Sequence, residues 1–248
     1  MSDASIVFGL HAVRTLLQRQ VNKVIQLLLV RGREDARITE VMKLAREADI
    51  KVEFRSAHEL DQLVHGERHQ GVVAMLKKVE NLGEGALDEI LDAAGSEPLL
   101  LILDGVTDPH NLGACLRTAD AAGVHAVVVP RDRAAGLSPV VRKVAAGAAE
   151  AVPLIQVVNL SRTLRGLKER GFWLVGTDDQ AEATLYDAKL SGPLAVVMGA
   201  EGEGMRRLTK ENCDLLVNIP MLGVVESLNV SVATGVMLYE VVRQRRVR

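Results

Sequence analysis

Short, almost uninterrupted aliphatic runs are the feature of this sequence that most restricts its fold. The clearest runs are Leu99–Leu103 and Leu194–Met198. Aromatic residues make up only 2% of the chain, so the core has to be built from Val, Leu, Ile and Ala. Strands of this composition are typical of parallel sheets that helices cover on both faces. The sequence therefore predicts an α/β fold with a parallel sheet.

The C-terminal part alternates long apolar strands with amphipathic helices. The predicted strands cover 99–104, 124–129, 152–157, 172–177, 194–199 and 215–219. The predicted helices cover 110–122, 138–148, 160–170, about 205–211, and 227–243. Ligands of such sheets bind beyond the carboxyl ends of the strands, which is where the three informative motifs described below are expected.

The N-terminal part shows the same alternation on a smaller scale and predicts a small α/β sandwich. The predicted strands are Val24–Val30, Val52–Phe54 and Val72–Leu76. Helical apolar spacing covers 10–19 and 38–45. Ser56 is a candidate N-cap for a further helix that runs to Val64, with Glu59 as its capping-box partner.

A change in composition separates the two parts. Residues 78–97 contain one lysine and six acidic residues, with Gly83, Gly85 and Gly95 among them. The sequence predicts a domain over 1–77, an acidic linker over 78–97 and a second domain over 98–248. The two domains are each slightly basic, although the net charge is −2. This distribution permits RNA binding without predicting it.

Other classes of protein are disfavoured by what the sequence lacks. No apolar run approaches the roughly 20 residues of a membrane helix, and the N-terminus does not read as a secretory signal. Cys115 and Cys213 match no metal-ligand spacing. We therefore expect buried thiols in a reducing cytoplasm, no bound metal and no membrane partner.

The first motif, Asp104–Gly123, follows the strand 99–104. Asp108 or Asn111 can cap the next helix, and Arg117 lies in its second turn. An arginine near a carboxamide at a strand end suits a phosphodiester, because the guanidinium binds two oxygens at once. A capped helix with a solvated arginine explains the same residues. The absence of Gly-x-Gly-x-x-Gly disfavours a nicotinamide-dependent oxidoreductase.

The second motif runs from a strand into a glycine-rich turn, Met198-Gly-Ala-Glu-Gly-Glu-Gly204. Its glycines let the backbone approach a ligand closely. Glu201 and Glu203 would repel phosphates, so a ligand with a positive sulfonium fits better than a nucleotide. An ordinary tight turn is the alternative interpretation.

The third motif joins the last strand to the last helix and spans Ile219–Glu240. Ser227, Asn229 and Ser231 crowd the start of an otherwise apolar helix. Ser227 can act as the N-cap. Polar side chains at a helix N-terminus also form a site for a substrate.

Together the three motifs closely resemble those of the SpoU family of RNA ribose methyltransferases, within the SPOUT superfamily. The matching pieces are Asn111-Leu-Gly-Ala…Arg117, Met198–Gly204 and Ile219-Pro-Met…Glu226-Ser-Leu-Asn-Val-Ser-Val-Ala233. Phe8–Val13 and His69–Ala74 resemble the leader domain of bacterial members, whose fold is similar to ribosomal protein L30 and binds RNA.

This resemblance implies a fold and an activity. The fold is a SPOUT-type parallel sheet with a deep C-terminal trefoil knot, in a homodimer whose active site is completed across the interface. The activity is methylation of a ribose 2′-hydroxyl, and the layout is most similar to members that use S-adenosylmethionine to methylate a guanosine of 23S ribosomal RNA. Carried over by position, the cofactor-binding residues are Gly199, Ile219, Met221 and Leu228.

The resemblance also implies roles for side chains. Arg117 is the catalytic residue, and we interpret it as a clamp on the phosphate because a guanidinium is a poor base. Asn111, Ser227 and Asn229 are expected to hold the ribose and that phosphate. Glu201 is expected to shape its loop or to pair with Arg117. Candidate RNA-binding residues of the first domain are His11, Arg14, Arg19, Lys23, Arg33 and Arg68.

Two alternatives stay open. One is a tRNA ribose 2′-O-methyltransferase, and the other is a non-catalytic RNA-binding factor of ribosome assembly that keeps the fold. The sequence identifies neither the nucleotide, nor its RNA context, nor the group that removes the hydroxyl proton.

Overall fold

The computed structural model describes residues 6–33, 35–76 and 82–246. The chain divides into two compact units. The first unit contains residues 1–80 together with 137–151, and the second contains 81–136 and 152–248. Residues 78–81 of the predicted linker and the two ends of the chain lie outside the described residues. No helix of the described part is both long and apolar enough to cross a membrane.

The described residues form eleven strands and ten α-helices, named here in chain order. The strands are β1 Ile6–Phe8, β2 Val24–Val30, β3 Lys51–Arg55, β4 Val72–Leu76, β5 Leu99–Asp104, β6 Ala126–Pro130, β7 Leu154–Val157, β8 Trp173–Thr177, β9 Ala183–Thr184, β10 Leu194–Gly199 and β11 Leu215–Asn218. The helices are α1 Leu10–Arg19, α2 Ala36–Glu47, α3 Ala57–Leu63, α4 Glu84–Ala93, α5 Pro109–Ala121, α6 Pro139–Ala145, α7 Ala148–Ala151, α8 Leu160–Glu169, α9 Arg207–Asn212 and α10 Val230–Arg246.

The first unit is built on a four-stranded mixed sheet in the order β1-β4-β2-β3. β2 is parallel to β3, whereas β4 is antiparallel to β1 and β2. Successive side chains of β2 point to opposite faces. Leu27 and Leu29 therefore pack in the cluster formed with α1 and α2, while Leu28 packs with Leu60 of α3.

α3 begins as its sequence predicts. The Ser56 hydroxyl accepts a hydrogen bond from the Glu59 amide, and the Glu59 carboxylate accepts one from the Ser56 amide, which completes a capping box. Hydrogen bonds from the Ser56 amide and hydroxyl, and then from Arg55, lower the pKa of Glu59 to about 2.

Residues 137–151, called here the inserted segment, fold with the first unit although they lie between β6 and β7 of the second. The predicted helix over 138–148 is two helices, because Ala146 and Gly147 adopt positive φ angles of 53° and 99°. A Cβ on Gly147 would lie 2.7 Å from the Thr15 hydroxyl, so α1 approaches this turn closely. Arg142 and Glu150 form an ion pair that is almost completely buried.

The second unit is built on a seven-stranded sheet in the order β7-β6-β5-β10-β8-β11-β9. Every neighbouring pair in it is parallel, which confirms the predicted parallel sheet. β5 is buried along its whole length, as its aliphatic run predicts. β10 lies between β5 and β8, so strands that are far apart in sequence become neighbours.

Part of the predicted linker belongs to the core of the second unit. Leu87 and Leu91 of α4 are buried against strands of the sheet. The acidic character of this segment also has a structural reason, because Arg170, the C-cap residue of α8, pairs with Asp88 and Asp92. Residues 84–93 are therefore a packed helix rather than a linker.

Candidate active site

The three motifs meet at the carboxyl edge of the large sheet. β5 and β10 are paired in parallel with Asp104 opposite Gly199. The loops that leave these two strands therefore start side by side. β11 ends at the same edge, because it runs parallel to β8 and β8 runs parallel to β10.

A hydrogen-bond network joins one residue from each motif. The side-chain amide of Asn229 donates to the side-chain oxygen Oδ1 of Asn111 at 3.0 Å, and also to the Glu201 carboxylate. The same Glu201 oxygen accepts from the Val230 amide at 3.3 Å. Asn111 and Asn229 are 118 residues apart in sequence, so only the fold brings them together.

Asn229, and not Ser227, caps the last helix. Its carbonyl side-chain oxygen accepts from the Ser231 amide at 3.0 Å, and its backbone oxygen accepts from the Ala233 amide at 2.9 Å. α10 therefore begins at Val230, three residues later than the sequence predicts. The N-cap interpretation of Ser227 is wrong. Ser227 is exposed in the irregular loop before the helix, where its hydroxyl is accessible to a ligand.

Arg117 is exposed on α5. None of the hydrogen bonds and ion pairs found among the described residues involves its guanidinium, so the expected pairing with Glu201 is not present. The helical repeat places Arg117 roughly 120° around the axis from Asn111 and about 9 Å along it. The two side chains therefore do not share one face of α5.

A pocket of about 330 Å³ opens beside this network. Backbone and side chains from the ends of β8, β10 and β11 form its wall. Its lining includes all four residues predicted to bind the cofactor, together with Ser227 and Glu201; the four are Gly199, Ile219, Met221 and Leu228. Its volume lies in the range of small-molecule sites, roughly 300 to 1,000 Å³.

The charges of the pocket favour a cationic ligand. Acidic side chains predominate in the lining: Asp178, Asp179, Glu201, Glu203 and Glu226. The lining cation Lys210 is paired with Asp178 at 2.5 Å. Burial raises the pKa of Asp178, but hydrogen bonds from Lys210 and from the Gln180 amide outweigh that effect, and the pKa is lowered overall.

Sequence reasoning missed the part of the pocket formed by β8 and its loop. Thr177, Asp178 and Asp179 line it, as does Asn218 at the end of β11. The signal was available, since both strands were predicted and their carboxyl ends were expected at this edge. Among the described residues, no group of three or more His, Cys, Asp or Glu side chains is arranged to hold a metal ion.

The glycines of the second motif are needed mainly by their own loop. A Cβ on Gly199 would lie 2.2 Å from the Gly204 carbonyl carbon and 2.3 Å from the Met205 amide nitrogen. Two hydrogen bonds between Ala200 and Gly204 close the loop. Gly202 and Gly204 have positive φ angles of 77° and 65°. The glycines thus allow a tight loop, whose backbone then lines the pocket.

The model of the SpoU rRNA methylase family matches residues 98–239. This chain belongs to that family. A second model, described as RNA 2′-O ribose methyltransferase substrate binding, matches residues 6–82. The two matches cover both ends of the chain and place the pocket and the hydrogen-bond network within the SpoU methylase region.

Full-length relatives support this assignment. The chain is 55% identical over 246 residues to the 23S rRNA (guanosine-2′-O-)-methyltransferase RlmB of Shewanella oneidensis, covering 99% of this chain and 100% of that protein. It is 56% identical over 240 residues to the Haemophilus influenzae protein of the same name, covering 96% and 97%.

A solved structure extends the comparison to the fold. The SpoU methyltransferase AviRb from Streptomyces viridochromogenes, in complex with the cofactor AdoMet, superposes with a TM-score of 0.81 at 25% identity. The comparison covers 98% of this chain and 91% of that one.

In the region of the SpoU substrate-binding match, the structure divides the RNA-binding candidates into two groups. His11 and Arg68 are exposed, and no hydrogen bond or ion pair to a described residue is found for either side chain. The other four have contacts within the protein. Arg14 pairs with Glu40, Arg33 binds Asp35 and the Gln70 carbonyl, Arg19 has an interaction within the chain, and Lys23 is half-buried near Arg142 and Glu150.

Proposed function

We propose that this protein transfers the methyl group of S-adenosylmethionine to the ribose 2′-hydroxyl of a guanosine in 23S ribosomal RNA. The observation that carries the proposal is the convergence of Asn111, Glu201 and Asn229 beside one acidic, phosphate-repelling pocket. The relatives named as 23S rRNA methyltransferases, which align over essentially the whole chain, indicate the substrate.

The lining residues of the pocket suit S-adenosylmethionine. The acidic lining suits a sulfonium and an ammonium group, and apolar side chains such as Ile219, Met221 and Leu228 suit an adenine ring. We assign cofactor binding to these three residues and to the backbone at Gly199. When bound, the cofactor supplies a methyl group that is electrophilic because it is attached to a positive sulfur.

The protein's own residues then have to position the acceptor. The Asn111 side-chain nitrogen has no hydrogen bond to a described residue and can hold the ribose or its phosphate. Asn229 donates both of its amide hydrogens, to Asn111 and to Glu201. Its side-chain oxygen accepts from the Ser231 amide and hydroxyl, so we assign Asn229 the role of orienting Asn111. Ser227 adds an exposed hydroxyl within the lining. Glu201 orients Asn229 by accepting from its amide. Holding the reacting oxygen in line supplies a large part of a rate enhancement of this kind.

We assign Arg117 to the RNA phosphate beside the reacting hydroxyl. A guanidinium is a poor base at neutral pH, but it binds two phosphate oxygens at once and stabilises negative charge on the attacking oxygen. The exposed position of Arg117 on α5 leaves it accessible to RNA.

We further propose that the protein is a homodimer in which Arg117 of one copy completes the site of the other. Large apolar side chains are exposed in the loop between β11 and α10 and on α10 itself. The exposed fractions are Leu222 99%, Val224 100%, Val225 64%, Val232 52% and Tyr239 52%. A second copy of the chain would cover such a surface.

We also propose the trefoil knot and the L30-like fold of the first unit. In the sheet, β11 is separated from β5 by β8 and β10. The helix that follows β11, α10, nevertheless packs on α5, which follows β5. The chain after β11 therefore returns across these strands, which supports the knot. The mixed four-stranded sheet with helices on both faces is consistent with an L30-like domain that binds RNA. A ribosomal RNA substrate and two free cysteines agree with a cytoplasmic location.

The direct test is to map ribose 2′-O-methylation in total RNA from cells with and without this protein. We expect loss of one modified guanosine in 23S ribosomal RNA, restored by the intact gene but not by Arg117→Ala. A modified position that disappears from tRNA instead would support the alternative methyltransferase. Unchanged methylation would support the non-catalytic assembly factor.

A further inference from the structure

Asp104, the first residue of the first motif, is a buried carboxylate to which the proposed function gives no role. It is the last residue of β5, and its side chain is completely inaccessible to solvent. One of its oxygens accepts from the Arg206 backbone amide at 3.0 Å. The other accepts from the Arg206 Nε at 2.6 Å and also pairs with its terminal nitrogen. Asp104 therefore binds both the main chain and the side chain of a single residue.

Arg206 lies where the glycine loop, residues 199–205, ends. It is the N-cap residue of α9, and the next residue starts that helix. The loop begins at Gly199, which is opposite Asp104 in the β5–β10 pairing. The start of the loop is thus held by the strand pairing, and its end is held by the carboxylate of the neighbouring strand.

Within the glycine loop, Glu201 is held by hydrogen bonds from the Asn229 side chain and the Val230 amide, whereas residues 202–204 have little else to fix their shape. Residues 201–204 are exposed, and two of them are glycines with positive φ angles. Its internal bonds are the two between Ala200 and Gly204. A glycine-rich segment loses more conformational entropy on ordering than other segments do. A fixed exit point reduces the number of conformations that the loop can adopt before a ligand binds.

We propose that Asp104, through Arg206, is a positioning residue that holds the glycine loop in the conformation that binds S-adenosylmethionine. The proposal rests on the proposed function and adds to it a pair of residues that do not react. Its effect is on cofactor affinity, because the loop lines the pocket. The rate of methyl transfer at saturating cofactor depends instead on Asn111, Asn229 and Arg117.

A role in fold stability alone predicts a different result. Loss of a stabilising ion pair would lower the melting temperature and leave the affinity of the folded fraction unchanged. Loss of loop positioning raises the cofactor KM, leaves kcat nearly constant, and accelerates amide hydrogen exchange within residues 199–205. These readouts separate the two roles.

The experiment uses Arg206, whose side chain is 48% exposed, so that its variants are expected to fold. Binding of S-adenosylhomocysteine, the unreactive product, is measured by calorimetry. Arg206→Ala is expected to bind about 10- to 100-fold more weakly, with kcat at saturating cofactor within about threefold of the original protein. The affinity of Arg206→Lys is expected to lie between those of the original protein and Arg206→Ala. A lysine ammonium keeps the positive charge but cannot contact the carboxylate through two nitrogens.

Arg207→Ala is the matched control. Its side chain is exposed and pairs with Glu211 of the same helix, so cofactor affinity and hydrogen exchange in the loop should stay unchanged. Asp104→Asn supplies the second arm, since it keeps the shape of the buried side chain. Its effect should not add to that of Arg206→Ala, because both remove the same contact.

The outcomes separate this inference from the proposed function. Failure of the original protein to bind S-adenosylhomocysteine would overturn the proposed function. Normal binding by the original protein and equally tight binding by Arg206→Ala would overturn the positioning role, whatever the behaviour of Asp104→Asn. A fall in kcat with an unchanged cofactor KM would also overturn it.

Discussion

Residues 69–71 of the first unit and two motif residues of the second unit, Ser227 and Arg117, differ in whether their polar groups have partners within the chain. In the first unit, the His69 ring contacts Asp61 and accepts from the Gly71 amide, and the Gln70 side chain accepts from the first amide of α1. The polar side chains of His69 and Gln70 are therefore hydrogen-bonded within the first unit. In the second unit, Ser227 and Arg117 are exposed, and no hydrogen bond to a described residue is found for either side chain.

Structural and functional polar residues can be distinguished by whether their hydrogen-bonding groups already have partners. A side chain whose donors and acceptors are satisfied inside its own unit organises the chain, whatever its chemical type. A side chain that keeps unused capacity at a strand end, beside a pocket, is available for a substrate. Substitutions in each unit test this distinction.

The largest effect is expected on the stability of the first unit. Arg142→Ala leaves Glu150 buried without its partner, which costs about 3 to 5 kcal/mol of unfolding free energy. Far-ultraviolet circular dichroism in urea measures the loss. Lys143→Ala is the control, because its pairing with Glu67 is exposed and is worth less than about 1 kcal/mol. Equal effects of the two substitutions would contradict the structural role of the buried pair.

The largest effect on activity is expected at Arg117. Arg117→Ala should lower kcat by about 100-fold or more, since removal of one charge-stabilising donor typically has this consequence. S-adenosylhomocysteine affinity should not change, because Arg117 does not line the pocket. Arg117→Lys should keep part of the activity. If Arg117→Ala retains most of its turnover, neither a clamp nor a base is located there.

A smaller effect is expected in the glycine loop. Gly199→Ala places a methyl group 2.2 Å from a backbone carbon, so the loop has to move. Cofactor affinity should fall on the order of tenfold. Gly202→Ala is the comparison, because its Cβ meets nothing within 4 Å and only the positive φ is strained. A Gly202→Ala defect as large as that of Gly199→Ala would contradict this account of the loop.

The smallest effect is expected among the basic residues of the first unit. Arg68→Ala should weaken binding to a 23S rRNA transcript a few-fold. The number of counterions released on binding, which the salt dependence of the affinity reports, should fall by about one. Arg14→Ala should change binding less, because Arg14 already pairs with Glu40 at 3.4 Å. Titrations at several salt concentrations measure both. A stronger effect of Arg14→Ala would show that internal pairing is no guide to RNA binding here.

Local patterns were sufficient for most of the secondary structure. The aliphatic runs of β2, β4, β5 and β10 have the predicted bounds to within one residue, because burial on both faces leaves an unambiguous signal. β1 was missed because three residues carry too little pattern. The break between α6 and α7 was missed because it depends on a left-handed conformation of Ala146, which residues other than glycine adopt infrequently.

The candidate site was predicted residue by residue but not as an arrangement. The family resemblance assigned Asn111, Glu201 and Asn229 to one site. The hydrogen bonds that join these residues could be found only from the structure. The Asp104–Arg206 contact had no local signal, because 102 residues separate its partners. Contacts of this kind depend on the order of the strands in the sheet, and no short segment of the sequence predicts that order.

The inserted segment limits how this protein can be taken apart or recombined. Since residues 137–151 belong to the first unit, the chain passes between the units at three places and not only near residue 80. A fragment cut at residue 98 would carry the segment without the helix α1 that packs on it, and would expose Val141, Ala145 and Ala148, which are buried in the intact chain. An exchange of the first unit of this protein for another domain would have to include the segment as well.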